Sequence, residues 1–200
     1  PWNSLLNDTT SGDSCIKKQS TPALPGLAGG SASQNANGGA AVTTTGSSSA
    51  AGSCTAPSGG DCSVSNLSTT CFGSNASQAA QICNKESANN PNNLSRSDVT
   101  SDGHSYSVGL FQINITNSFN QQVDGQNCSA AFSGPCQGKN VVQSGSTAGH
   151  CSVTVTNTQL YNDCVTAAEN PTNNINAACS LNNDGNSGWS KWSTSSACNL

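Results

Sequence analysis

The chain is short of charge, and this shortage excludes several classes of protein. Only 8% of its 200 residues are charged, whereas about 25% is usual in soluble domains. The six basic residues are spread along the chain and the net charge is −4, so we expect no nucleic-acid partner. No apolar run approaches the roughly 18 residues that a membrane span requires. We therefore expect no integral membrane segment.

Metal-ligand and cofactor motifs are also missing from the sequence. His104 and His150 are the only histidines, and no two cysteines have the short spacing that is typical of a zinc site. Neither a phosphate-binding loop nor a dinucleotide-binding fingerprint occurs. The sequence therefore predicts no metal and no cofactor.

Cysteine, in contrast, is abundant, with eleven residues in the chain. Such a density indicates disulfide bonds formed in an oxidising compartment. The number is odd, and Cys15 is the candidate for the cysteine left over, because it lies far from the others. The chain begins at Pro1 and contains no Met, which we interpret as removal of a signal peptide. The expected location is therefore secreted, extracellular or at the cell surface.

Composition divides the chain into a low-complexity N-terminal arm (residues 1–53) and a domain (residues 54–200). The tract over 29–53 consists mainly of small and polar residues and has too little apolar surface to offset its ordering entropy. Two interpretations stay open. The arm is either a flexible tether or a segment that packs on neighbouring copies, which would make residues 1–53 a self-assembly element.

Apolar periodicity predicts three helices in the domain, over residues 75–86, 159–168 and 173–181. The segment 108–115 is compact and apolar, and it fits either a strand end or the start of a helix. Residues 117–157 are expected to be rich in loops. The predicted fold class is α+β, mainly α, with a small β and loop region.

Two separated groups of motifs resemble the lysozyme-like superfamily. The first comprises Cys83-Asn-Lys-Glu-Ser-Ala-Asn-Asn-Pro91 and Ser107-Val-Gly-Leu-Phe-Gln-Ile-Asn114. The second comprises Asn170-Pro-x-x-Asn-Ile-x-x-Ala178 and Gly188-Trp-Ser-Lys-Trp-Ser193. The pattern is most similar to the soluble lytic transglycosylase and goose-type lysozyme domains of bacteria and phages. It covers about residues 62–198 and does not include the arm.

This resemblance implies a disulfide-bonded lysozyme-like fold that cleaves peptidoglycan or a similar glycan. It implies that Glu86, at the end of a helix, is the general acid for the β-1,4 bond between N-acetylmuramic acid and N-acetylglucosamine. A carboxyl group against apolar walls keeps a raised pKa and can supply the proton that the leaving oxygen needs. The resemblance implies substrate-binding roles for Ser87, Ser107, Gln112, Ile113, Asn114, Tyr161 and Asn174. Of these, Asn174 and Tyr161 are expected to buttress the floor of the cleft.

The position of a second carboxylate is left open by the sequence. Animal-type lysozymes have an Asp where this chain has Ser107. Asp98 and Asp102 are the candidate substitutes, and the alternative interpretation is that both are turn residues. With Glu86 alone the transglycosylase route is favoured, in which the 6-hydroxyl of the sugar closes a 1,6-anhydro ring.

Two other functions compete with the enzymatic hypothesis. In the first hypothesis, the domain is a structural subunit of an extracellular fibre or surface appendage, and the arm packs on the next copy. In the second it is a glycan-binding module without activity, which an intact Glu86 disfavours.

Overall fold

The computed structural model describes residues 53–183 and 188–200. Apart from Ser53, the predicted arm lies outside these residues. Cys15 and the self-assembly hypothesis for residues 1–53 therefore lie outside them as well.

The helices follow the apolar periodicity of the sequence. Helix α2 (Ala76–Ser87) buries Ala79, Ala80, Ile82 and Cys83 on one face, as the 3.6-residue repeat requires. No helix in the described ranges is long and apolar enough to cross a bilayer. The three helices predicted over residues 75–86, 159–168 and 173–181 are confirmed as α2, α3 and α4. The helices are α1 (Val64–Leu67), α2 (Ala76–Ser87), α3 (Thr158–Glu169) and α4 (Pro171–Asn183).

The apolar segment 108–115 runs from the end of one strand, through a turn, into the second strand of a short antiparallel pair. Strand β1 (Ser107–Val108) pairs with β2 (Ile113–Asn114), with Ser107 opposite Asn114. A second hairpin pairs β3 (Gln122–Val123) with β4 (Gln126–Asn127). The remaining regular structure is 3-10 helix, at Gly73–Asn75, Cys128–Ala131, Gly138–Asn140, Gly188–Lys191 and Ser193–Cys198. The described part of the chain is thus mixed α and β with helix predominating, and residues 117–157 are rich in loops as predicted.

Disulfide bonds join segments that are distant in the sequence. All ten cysteines of the described residues are paired, in five bridges. Two of these bridges span 144 and 108 residues and attach the C-terminal third of the chain to the segment before α2. The prediction of a disulfide framework is therefore confirmed. The pairs are Cys54–Cys198, Cys62–Cys83, Cys71–Cys179, Cys128–Cys164 and Cys136–Cys151.

An aromatic cluster lies where the C-terminal segment (residues 188–200) meets the β1–β2 turn (residues 109–112). The rings of Phe72 and Phe111 are 5.5 Å apart, and those of Trp189 and Trp192 are 5.4 Å apart. The indole N–H of Trp192 donates to the backbone oxygen of Phe111 at 2.8 Å. Trp189 and Trp192 are both buried in the core. This cluster holds the C-terminal segment against the β1–β2 turn.

A buried amide joins α4 to the same turn. The Phe111 N–H donates to Asn174 Oδ1 at 2.8 Å, and Asn174 Nδ2 donates to the carbonyl oxygens of Val108 and Ala168 at 2.9 and 2.8 Å. Asn174 is fully buried, and unsatisfied polar groups at such a position are costly. These bonds fix the β1–β2 turn relative to α3 and α4.

Candidate active site

A polar cleft with a volume of about 310 Å³ opens between the C-terminal end of α2, the β1–β2 pair and the C-terminal segment. Glu86 and Asp98 face it together, and the loop that follows Cys136 forms a further wall. Amide and hydroxyl side chains dominate its surface, with Val141 and Trp192 as apolar parts. Such a lining suits a ligand that has many hydroxyl and amide groups but little charge.

Glu86 lies in the last turn of α2, one residue before the end of the helix. The helix stops because Ala88 adopts a left-handed conformation with φ 53°. Thr194 Oγ1 donates a hydrogen bond to Glu86 Oε1 at 2.5 Å. Burial raises the pKa of the Glu86 carboxyl above its ordinary value of 4.5. The hydrogen bond from Thr194 lowers the pKa, the negative charge of Asp98 raises it, and the positive charge of Lys85 lowers it. A carboxyl group in this setting retains its proton to a higher pH than an exposed one.

Asp98 is held at the cleft by contacts to both of its carboxylate oxygens. Ser107 Oγ donates to Asp98 Oδ2 at 2.7 Å. On the other side, a Cβ placed on Gly149 would lie 2.6 Å from Asp98 Oδ1 and 2.8 Å from the Ser97 oxygen. Gly149 also has φ +90°, a conformation that favours glycine. The absence of a side chain there is what lets the loop pack against Asp98.

Asp102, the other candidate for a second carboxylate, lies elsewhere. Its Oδ1 accepts from the Thr100 hydroxyl at 2.6 Å, and its Oδ2 accepts from the Val155 N–H at 3.1 Å. Asp102 does not line the cleft. Of the two candidates, the structure brings only Asp98 together with Glu86.

Three of the predicted substrate-binding residues line the cleft, namely Ser107, Gln112 and Asn114. Gln112 adopts a left-handed backbone, with φ 49°, which is unusual for a residue other than glycine. Its Nε2 donates to the Asn93 and Gly109 oxygens at 3.0 and 2.9 Å. Gln112 Oε1 accepts no hydrogen bond from the described part of the chain.

The other four predicted substrate-binding residues lie away from the cleft. Ser87 is buried and donates to the Cys83 oxygen at 3.0 Å. Ile113 is a core residue. The Tyr161 hydroxyl donates to the Ser105 oxygen at 3.0 Å. Both polar atoms of the Asn174 side chain are engaged in the hydrogen bonds that hold the β1–β2 turn. None of these four side chains lines the cleft, and their contact with substrate stays a prediction.

Several lining residues carried no signal in the sequence. Gln137 and Gln143 line the cleft wall on either side of the loop that follows Cys136, which is bridged to Cys151. Thr194 contacts Glu86 only because the C-terminal segment folds back onto α2. The motif that ends at Ser193 comes within one residue of Thr194. Its spacing says nothing about a contact with a glutamate 108 residues away.

The two tyrosines of the chain offer a test of where Asp98 and Asp102 lie. Burial, with a smaller contribution from Asp98, raises the pKa of Tyr106 to about 12. Burial, followed by the charges of Asp102 and Glu169, raises the pKa of Tyr161. We expect Asp98→Asn to lower the pKa of Tyr106 alone, and Asp102→Asn to lower that of Tyr161 alone.

Ring-carbon NMR titration of the tyrosines measures both values in one sample. Each aspartate variant serves as the control for the other. A fall in the Tyr106 pKa on Asp102→Asn, with none on Asp98→Asn, would contradict the placement of Asp98 at the cleft.

No family model, curated protein or solved structure matches the chain. Within the described residues, no group of three or more His, Cys, Asp or Glu side chains is arranged to hold a metal ion. The groups available for chemistry at the cleft are its two carboxyl groups, Glu86 and Asp98, and their neighbours.

Proposed function

We propose that the domain is a secreted glycosidase with a lysozyme-like fold that hydrolyses the β-1,4 bond between N-acetylmuramic acid and N-acetylglucosamine in peptidoglycan. One observation carries the proposal: the half-buried carboxyl of Glu86 opens into the same polar cleft as the carboxylate of Asp98. Most glycosidases use two carboxyl groups in this way, one as acid and the other as base, nucleophile or electrostatic stabiliser. The sequence motifs around Glu86 and Gln112 support the choice of peptidoglycan.

Glu86 supplies the proton in this proposal. Burial holds its pKa above the ordinary value, so a larger fraction of the carboxyl is protonated near neutral pH. That proton passes to the glycosidic oxygen as the bond to the sugar carbon breaks. The positive charge that then develops on the sugar ring requires a negative partner.

Asp98 is that partner. The Ser107 hydroxyl donates to one of its oxygens at 2.7 Å, which fixes the orientation of the carboxylate. Ser107 occupies the position where animal-type lysozymes have an Asp. Because its hydroxyl binds Asp98, the carboxylate of Asp98 takes the place of that Asp. The preference for a 1,6-anhydro product rested on Glu86 acting alone. With Asp98 in the cleft, attack by water is the better-supported route.

The surroundings agree with a glycan substrate outside the cell. Gln112, Asn114 and Gln137 provide amides for hydroxyl and N-acetyl groups, and Val141 provides apolar surface. Five disulfides are compatible with an extracellular location.

Digestion of purified peptidoglycan, with the products identified by mass spectrometry, tests this function. We expect the wild-type chain to release fragments with reducing N-acetylmuramic acid ends. Asp98→Asn should lower the rate by roughly a hundredfold, because it removes charge stabilisation at the transition state. Asp102→Asn is the matched control and should retain activity.

The product type separates the alternatives. Release of 1,6-anhydro ends at an undiminished rate by Asp98→Asn would show that Glu86 acts alone as acid and then base. No release from several wall types by the folded, oxidised chain would contradict the glycosidase function itself.

A further inference from the structure

The side chain of Glu86 has one short contact to a distant part of the chain. Thr194 Oγ1 donates to Glu86 Oε1 at 2.5 Å across 108 positions of sequence. The glutamate is in the last turn of α2, whereas the threonine is in the 3-10 helix Ser193–Cys198. The tertiary fold therefore brings a neutral donor to one chosen oxygen of the carboxyl group.

The segment that carries Thr194 is anchored on both sides of it. Before it, the Trp192 indole is bonded to the Phe111 oxygen at 2.8 Å. After it, Cys198 is bridged to Cys54, and the Leu200 N–H donates to the Ser195 oxygen at 3.0 Å. A threonine side chain is also stiff because its Cβ is branched. The hydroxyl is thus held in place before any ligand arrives.

We propose that Thr194 is a positioning residue that holds Glu86 Oε1 and so leaves Oε2 as the oxygen that carries the catalytic proton. This inference rests on the proposed function. A neutral carboxyl group has one protonated oxygen and one carbonyl-like oxygen, and the carbonyl-like oxygen is the better acceptor. Because the Thr194 hydroxyl donates to Oε1, the proton occupies Oε2. The same bond opposes rotation of the carboxyl group, which would exchange the two oxygens.

Several charged or titratable groups face Glu86, and they act together with this bond. Lys85 is on the same helix, Asp98 comes from the loop before β1, and Tyr106 and Lys191 line the cleft. Burial is the largest influence and raises the pKa of Glu86; the Thr194 bond is the next and lowers it. Removal of the Thr194 hydroxyl therefore shifts the Glu86 pKa further upward, while the other groups are unchanged.

The composition of the chain makes this shift directly measurable. Glu86 and Glu169 are its only glutamates, so selective ¹³C labelling of glutamate gives two side-chain carboxyl signals. In Thr194→Val, a replacement of nearly equal shape, we expect the pKa of Glu86 to rise, and the Glu169 signal serves as the internal reference. Thr194→Ser retains the hydroxyl and should restore the wild-type value. Thr194→Ala serves as a second variant without the hydroxyl if the valine variant does not fold.

Peptidoglycan cleavage supplies the second readout. We expect kcat to fall about tenfold in Thr194→Val with KM unchanged, since orientation of a reacting group is lost while binding is retained. The alkaline limb of the pH profile should move to higher pH, because a general acid with a higher pKa stays protonated longer. A merely structural role would lower the rate equally at every pH.

The two readouts separate this proposal from the proposed function. An unchanged Glu86 pKa in folded Thr194→Val and Thr194→Ala would overturn the role of Thr194, whatever the activity. A raised pKa in a chain that cleaves no glycan would preserve the hydrogen bond but contradict the glycosidase and the catalytic use of the proton.

Discussion

Replacement of Glu86 by Gln is expected to reduce peptidoglycan cleavage by about 10³-fold, because a positioned general acid contributes on the order of 10² to 10⁴ to the rate. The amide has nearly the same shape as the carboxyl group and can still accept the hydrogen bond from Thr194. What it lacks is a proton that it can give to the glycosidic oxygen. The measurement is the initial rate of fragment release at equal concentrations of wild type and variant.

Glu169→Gln is the matched control, because Glu169 is the only other glutamate and lies at the end of α3, away from the cleft. Its activity should equal that of the wild type. Undiminished cleavage by Glu86→Gln would refute the assignment of the acid. Equal losses in both variants would point to a general effect on folding.

Glu86→Gln is expected to raise the stability of the fold at neutral pH, although it lowers the activity. Because burial raises the pKa of Glu86 in the folded state, the folded state binds its proton more tightly than the unfolded state does. The free energy of unfolding therefore falls as pH rises from the unfolded pKa to the folded pKa. Glu86→Gln removes this loss. We expect its melting temperature to exceed that of the wild type at neutral pH and to approach it in acid, where Glu86 is protonated in both states.

The largest expected effect on stability comes from Gly109→Ala. A Cβ at this position, which has φ +81°, would overlap the Asn174 amide and lie 2.7 Å from the Ala168 oxygen. The backbone oxygen cannot move cheaply, and displacement of Asn174 would leave its buried partners unsatisfied. We expect a loss of about 4 kcal/mol in the free energy of unfolding, or a fall in melting temperature of about 10 °C.

Gly103→Ala separates the steric contact from the backbone strain. Gly103 has φ +85°, almost the same conformation, but a Cβ there meets nothing within 4 Å. We expect it to lose only about 1 kcal/mol, the cost of a left-handed alanine. Thermal unfolding of both variants under oxidising conditions measures the difference. Equal losses would show that Asn174 does not hold the β1–β2 turn.

These predictions depend to different degrees on what the sequence reveals. Helices α2, α3 and α4 were predictable because their apolar residues repeat with the period of a helix. The density of cysteine identified the disulfide class. Glu86 stood out because it is one of two glutamates and falls in a recognisable motif at a helix end.

The roles of the surrounding residues were not predictable in the same way. Asn174 belongs to a motif, and a motif does not by itself distinguish a side chain that contacts substrate from one that supports the site. Burial and hydrogen bonding make that distinction, and both depend on elements that meet only in the folded chain. Asn174 bonds to residues more than 60 positions away, so its role as a buried joint has no local signature.

The sequence by itself determined the helices, the disulfide-bonded class and the one carboxyl group around which a site is built, because these depend on local periodicity and composition. Only the tertiary structure decided the five disulfide pairs, the choice of Asp98 over Asp102 and the contact of Thr194 with Glu86. The physical reason is that each of these requires two segments far apart in the chain to meet at a particular distance. Periodicity within a segment carries no information about that distance.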